Sequence, residues 1–503
     1  MFRQENLNYY LFITLATLFI GIGFTSADFF TSPANDVKDF FILFSQWGTL
    51  MLALWSVIYL LSINKYLFGL FYPVICFLSG ILMFFRYTTG TTLTTMIMDA
   101  ALDNDNQLTY ELISLSLIVI LVVSVAIALL FVFYRFRYIK VNYIWLNLLS
   151  ASVIFLILFN IPRINRPLSE RIPFNLYFIS SRYITEKKEV LKEREKLNSS
   201  IVCGENSDLL VLFVLGESLR PDHLGFNGYH RNTTPHLSKE DIISFQNIYS
   251  EYTYTNVAVP HIMTRADSIH PERAYSERSF IDIFKQCGFY TTWLANQESS
   301  KSYVYFMNES DTLIYANINK SPYVFDKWLD EALLPSLNYF IEKKEQKKMI
   351  ILHTIGSHWY YNSHFPDEFQ KFNPTTKSRI VKSNTPEEMT NSYDNTVLYT
   401  DFFIFQVINS IRNKNAVLIY LSDHGEALGE NGIWLHANDA LYTHRPACFI
   451  WMSEIYKQNY PEKYRNLHQN KDKYYRTDFL FPSILEAAGI ESDIIDPDLS
   501  IFR

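Results

Sequence analysis

LLVLFVLGESLRPDH, residues 209–223, is the stretch on which the reading of this chain turns. Seven apolar residues with no alternation run directly into Gly216-Glu217-Ser218. That is the pattern of a strand buried on both faces, ending in a turn that carries an acid. Four more short apolar runs follow, at 290–294, 349–353, 417–421 and 447–451. Amphipathic stretches at 333–343 and 396–412 fit covering helices. The expected architecture is therefore α/β, with a mostly parallel central sheet. Ligands in such sheets bind beyond the carboxyl ends of the strands, so the residues just after each run are the ones to inspect.

Three of those ends carry chemistry. The run at 209–215 leads into Glu217, the run at 349–353 into Gly356-Ser357-His358, and the run at 417–421 into Ser422-Asp423-His424-Gly425-Glu426. Carboxylate and imidazole are donors that zinc takes, and a glycine beside each lets the backbone turn sharply. Singly, each has an ordinary explanation: a charge at a helix start, a hydrogen-bonded loop histidine, an Asx turn. Their coincidence at the ends of separate strands is what points to a site.

The rest of the chain divides in two. All twelve histidines lie after residue 200, whereas the first 165 residues are nearly continuous apolar runs. Five segments, 9–27, 40–63, 66–85, 113–133 and 143–159, each approach the ~20 residues a helix needs to cross a bilayer. Four later spans argue against a cleaved signal peptide for the first. Arg3, Lys65, Arg135, Arg137 and Lys140 share one side, which the positive-inside rule makes cytoplasmic. An odd number of spans then carries everything after 159 to the other face, although Arg163, Arg166 and Arg171 run against that rule. The alternating charges of EKKEVLKEREK (186–196) favour an exposed connecting helix. The expected domains are a transmembrane domain at 1–162, a helical linker at 163–206 and a catalytic domain at 207–503. A net charge of −7 offers no basic footprint for nucleic acid. Four scattered cysteines form no CxxC pair; Cys76 lies in an apolar run, and Cys203, Cys287 and Cys448 allow at most one disulfide.

GESLRPDHLGFNGYHRNTTPHL (216–237) resembles the first motif of the phosphoethanolamine transferases of Gram-negative inner membranes, members of the alkaline phosphatase and sulfatase superfamily. YTNVAVPHIM (254–263), GSHW (356–359), YDNTVLYTDFFI (393–404) and SDHGEALGENGIWLH (422–436) are similar to further blocks of that family, in the same order. The resemblance implies a five-helix transmembrane domain followed by an alkaline-phosphatase/sulfatase-like α/β domain in the periplasm. It implies that Glu217, Thr255, Asp423 and His424 surround a zinc ion, with manganese the less favoured metal. Thr255 is the implied nucleophile, by its place five residues before Pro260, with Thr253 the competing candidate. His358 and His436 would contact the phosphoryl group or a second metal. Asn296, Gln297 and Lys301, in WLANQESSK (293–301), fall where the family contacts the donor headgroup.

The implied reaction moves phosphoethanolamine from phosphatidylethanolamine, through a phosphothreonine-type intermediate, to a lipopolysaccharide acceptor. A threonine hydroxyl needs activation, which a bound metal supplies. Family members active on lipid A often carry cysteines bracketing the nucleophile loop, where this chain has Glu251 and His261. Lipid A, inner-core sugars and periplasmic glucans therefore all stay open as acceptors. A glycerol-phosphate transferase resembling lipoteichoic acid synthases is the nearest alternative enzyme. A formylglycine sulfatase is disfavoured, because no C/S-x-P-S/A-R block occurs. An inactive lipopolysaccharide-binding scaffold would have lost a ligand position, and none of the six key positions is lost.

Overall fold

The computed structural model of the chain describes residues 2–30, 37–89, 92–102, 114–169, 171–197, 200–204, 208–316, 318, 320, 327–343, 347–379 and 381–503. These fall into two compact units, one of Met1–Ile184 and one of Thr185–Ile318 with Asp326–Arg503.

The first unit is helical. Helices α1 (Phe2–Gly23), α2 (Val37–Ile63), α3 (Lys65–Thr89) and α4 (Leu115–Arg137) are long and apolar enough to cross a membrane. The expectation of five spans is corrected to four. The fifth segment forms α5 (Ile144–Asn160), which has only 17 residues. At 1.5 Å per residue it reaches about 25 Å, short of a ~30 Å hydrocarbon core. Arg135, near the end of α4, is buried, and its guanidinium donates to the carbonyls of Ser62, Ile63 and Ile139. It thereby satisfies acceptors that the C-terminus of α2 leaves without intrahelical partners.

The linker also differs from expectation. Helix α6 (Phe174–Val190) stops inside the charged run. Beyond it Arg194 is buried rather than solvated, its guanidinium over the rings of Tyr305 and Phe306 at 4.3 and 4.7 Å. Glu195 forms a parallel bridge with Glu277. A cationic side chain with two aromatic faces beside it is held by cation–π attraction, which the charge pattern alone does not report.

The second unit is built on a seven-stranded sheet. Its strands are β1 (Leu210–Gly216), β2 (Ile243–Ser244), β3 (Tyr290–Ala295), β4 (Thr312–Tyr315), β5 (Lys348–His353), β6 (Ala416–Ser422) and β7 (Cys448–Met452). They lie in the order β2-β7-β6-β1-β5-β3-β4, and only the ladders made by β7 are antiparallel. The sheet is mixed but mostly parallel, and each apolar run of the sequence is one of its strands. Every residue of β1 is buried. Leu210, Leu212 and Val214 join one core with the helices α8 (Leu334–Ile341) and α9 (Pro386–Ile411), while Val211, Phe213 and Leu215 join another on the opposite face. Helices on both faces explain why the strand sequence does not alternate. Cys203 and Cys287 form a disulfide, and Cys448 is free and buried.

Candidate active site

Register brings the strand ends to one rim. Leu215 pairs with His353, Gly216 with Ser422, and Ala295 with His353. Glu217, Asn296, the 354–358 turn and Asp423 therefore leave the sheet side by side. Ser218, the residue after Glu217, has φ 57°, an uncommon conformation for a side-chain-bearing residue. Its strain is offset by three hydrogen bonds: Ser218 N–H to Asp423 Oδ1, Ser218 Oγ to Glu217 Oε1 at 2.7 Å, and Tyr393 hydroxyl to the Ser218 carbonyl at 2.7 Å.

Thr255 arrives from elsewhere. It is the first residue of α7 (Thr255–Met263), so its hydroxyl sits at a helix N-terminus, where unsatisfied N–H groups favour negative charge. The hydroxyl donates to Glu217 Oε2 at 3.0 Å and lies 3.4 Å from His424 Nε2. His424 Nε2 in turn is 3.5 Å from Glu217 Oε1 and 3.3 Å from Asp423 Oδ2. Thr253, the competing residue, is buried, and its carbonyl accepts the Ala437 N–H.

The two histidines are oriented from behind. His424 Nδ1 faces the Gly425 carbonyl at 2.8 Å, and His436 Nδ1 faces Glu426 Oε2 at 2.9 Å. A proton on each Nδ1 satisfies these acceptors and leaves Nε2 of His424 with its lone pair towards the carboxylates. Glu426 is fully buried, and its second oxygen accepts the Tyr361 hydroxyl at 2.7 Å. His436 is flanked on both sides by residues in the left-handed region, Leu435 (φ 60°) and Ala437 (φ 59°). Such strain persists only where surrounding structure imposes it.

Electrostatics divides the two carboxylates. Burial works against ionisation of Glu217, but the surrounding imidazoles, His436 the one kept cationic, outweigh it and hold the group below the usual carboxylate range. Asp423 is pushed well above the usual carboxylate range, first by burial and then by the charge of Glu217. His436 is raised to about 9 because Glu426, Glu217 and Asp423 overcome its burial, whereas burial lowers His358 and His424. Asp423 Oδ2 is buried with no hydrogen-bond partner among the described residues. Glu217, His424 and His436 each offer a ligand atom, all within 4.8 Å of one another. Two crowded carboxylates, an orphaned oxygen and the His424 Nε2 lone pair are a donor set that a divalent cation completes, and oxygen with nitrogen ligands suits zinc.

The residues singled out in the sequence are not equally placed. Glu217, Thr255, Asp423, His424 and His436 converge, and the Gln297 amide reaches Glu217 Oε2 at 2.8 Å. His358 stands behind them, its ring 6.0 Å from that of His436. Asn296 is buried and bonds Asp330 Oδ1 at 2.7 Å, while Lys301 is exposed on the following turn. Glu426 and Asp330 escaped the sequence reading. Glu426 lies inside the quoted SDHGE block, three residues after Asp423. Asp330 accepts from Ile355 and Gly356 N–H, and nothing in its neighbouring sequence marks it.

The family model described as Sulfatase matches residues 210–490, more than half of the 503. The chain belongs to the sulfatase family. Within it, the chain resembles the phosphoethanolamine transferases. Phosphoethanolamine transferase EptA of Escherichia coli K12 is 31% identical over 311 residues, covering 58% of this chain and 55% of that protein. The chain thus matches a little over half the length of that relative. The C-terminal periplasmic domain of EcEptC from Escherichia coli, solved in complex with Zn, superposes with TM-score 0.56 at 25% identity, covering 62% of this chain and 90% of that one. The integral membrane protein lipooligosaccharide phosphoethanolamine transferase A from Neisseria meningitidis shares the fold along 98% of both chains, with TM-score 0.57 at 24% identity.

Proposed function

We propose that the protein transfers phosphoethanolamine from phosphatidylethanolamine to a lipopolysaccharide acceptor, an inner-core sugar or lipid A, through a phosphothreonine on Thr255. The observation that carries this reading is the Thr255 hydroxyl at a helix N-terminus, 3.0 Å from Glu217 Oε2 and 3.4 Å from His424 Nε2. The names of the relatives supply the transferred group.

Glu217, Asp423 and His424, with the Thr255 oxygen, would hold zinc, which when bound supplies Lewis acidity that lowers the pKa of the hydroxyl. Glu217 orients that hydroxyl, and the helix N–H groups favour the anionic phosphoryl oxygens. The Thr255 oxygen bonds to phosphorus as the bond to the glycerol oxygen breaks. Thr255 loses a proton and the departing diacylglycerol gains one, so the half-reaction is proton-neutral. His436, kept protonated by Glu426, is the group suited to protonate the leaving oxygen. In the second half-reaction an acceptor hydroxyl or phosphate displaces Thr255. Gln297 and His358, with Asn296 and Lys301 nearby in sequence, are the proposed headgroup contacts. The apolar helices of the first unit support an inner-membrane protein. With four spans the helix count does not carry the catalytic unit across, so its periplasmic placement rests on the relative described as a periplasmic domain and on the Cys203–Cys287 disulfide, which suits that oxidising compartment.

Thr255→Ala is expected to abolish transfer and to remove the phosphoethanolamine mass increment from the peptide holding residue 255, with zinc content retained. Full activity in that variant ends the nucleophile assignment.

A further inference from the structure

A groove of about 440 Å³ opens near the C-terminal end of the catalytic unit, and the mechanism above does not use it. Lys473, Tyr474, Arg476, Asp478 and Arg503 supply its chemistry. The volume lies within the range of small-molecule sites, roughly 300–1,000 Å³. The lining combines three cations, two of them ion-paired, with the carboxylates of Asp478 and Asp498 and an aromatic face. Tyr474 is 65% exposed and presents a ring face at the groove. Asp478 Oδ1 is buried and has no hydrogen-bond partner among the described residues, so it awaits a donor. Arg476 and Arg503 are each tied to a carboxylate on one side, Glu251 and Glu486, which fixes their guanidinium planes while leaving further N–H donors.

The groove is joined to the nucleophile segment. Tyr475 and Arg476 pair in parallel with Ile248 and Tyr249, the residues that lead into the turn before Thr255. Arg476 pairs with Glu251, four residues before Thr255. A smaller cleft beside Glu251 and Tyr252 shares Arg476 and Asp478 with the groove. Tyr249 stacks on His444 at 5.0 Å and lies 6.5 Å from Tyr474, which adds two rings to the aromatic side of the groove.

We infer that this groove seats a phosphorylated sugar unit of the glycan acceptor. A pyranose presents a C–H face for Tyr474 and hydroxyl donors for Asp478, and its phosphate meets Lys473, Arg476 and Arg503. A plain anion would leave the Asp478 oxygen unsatisfied, and an apolar acyl chain would offer Asp478 no donor and Lys473 no acceptor. The inference rests on the transferase reading, because it names where the second substrate of that reaction binds.

The test separates the two half-reactions in the full-length enzyme. Diacylglycerol release from phosphatidylethanolamine reports the first, and transfer to purified phosphorylated core oligosaccharide reports the second. Tyr474→Ala and Lys473→Ala are expected to raise the KM for the oligosaccharide about tenfold each, with diacylglycerol release and KM for the lipid within twofold of the parent. Dephosphorylated oligosaccharide is expected to bind the parent more weakly and to lose the Lys473→Ala effect. An oligosaccharide KM unchanged in both variants, with diacylglycerol release intact, overturns the groove assignment. No diacylglycerol release from the parent enzyme instead overturns the transferase reading itself.

Discussion

Glu426 is buried and Glu309 partly buried in the catalytic unit, and their neighbours put them to different uses. Glu426 is spent on orientation, with one oxygen on Tyr361 and the other on His436. Glu309 accepts from the Ser279 N–H and hydroxyl, yet burial pushes it up to about 7 despite those bonds. Its folded value lies above its ordinary 4.5, so the folded state binds the proton more tightly. The stability this contributes is present in full below pH 4.5 and is lost as pH rises through 7. The difference amounts to about 3 kcal/mol at most. Glu309→Gln cannot ionise, so its apparent thermal midpoint should fall less than the parent's between pH 5 and pH 8. Parallel curves for the two proteins would show that Glu309 is not a buried acid. The resemblance chose Thr255 over Thr253 by its place five residues before Pro260, and the turn before α7 aims the Thr255 hydroxyl at Glu217. Asn296 and Gln297 are neighbours of similar chemistry, and the strand end sends one towards Asp330 and the other towards Glu217.

Among the elements, the sheet was the most legible, because strands covered on both faces must be apolar at every position. The charged run at 186–196 was the least legible. Its spacing satisfies a helix, but burial of Arg194 against Tyr305 and Phe306 comes from residues more than a hundred positions away. Element ends matter most where a turn must pass close to another backbone. Gly356 follows β5 with φ 47°, and a Cβ there would lie 2.8 Å from the Glu217 carbonyl oxygen and 3.2 Å from its nitrogen. Gly356→Ala is thus expected to cost about 2 kcal/mol or more, from left-handed strain plus overpacking. Displacing Glu217 by even a fraction of an ångström should also reduce transfer, by about 100-fold if the shift nears 1 Å. A denaturant midpoint and a transfer rate both matching the parent would show that the two turns do not press on each other.

The whole molecule divides its composition between two solvents. Four helices carry apolar residues outward, among them Leu11 and Leu15 in α1 and Val122, Leu130 and Phe133 in α4. In water such surfaces would aggregate; in lipid they are matched. The full chain should accordingly stay in the membrane pellet through alkaline carbonate washing, and release into the supernatant would contradict the spans. The second unit needs no such solvent, since its apolar residues form two cores on either side of one sheet.

The sequence alone determined the two-part division, the strands and the acids and imidazoles at their ends, because burial on both faces and chain reversal leave local marks. It overcounted the membrane spans, since apolar content past 143 does not reveal that α5 stops at 17 residues. Convergence was decided only in three dimensions. Glu217, Thr255 and Asp423 meet because parallel register aligns β1 with β6 and because α7 delivers a threonine from outside the sheet. The partners of Asp330 and Arg194, and the Tyr361 hydroxyl on Glu426, are likewise contacts between distant segments, and no local pattern encodes them.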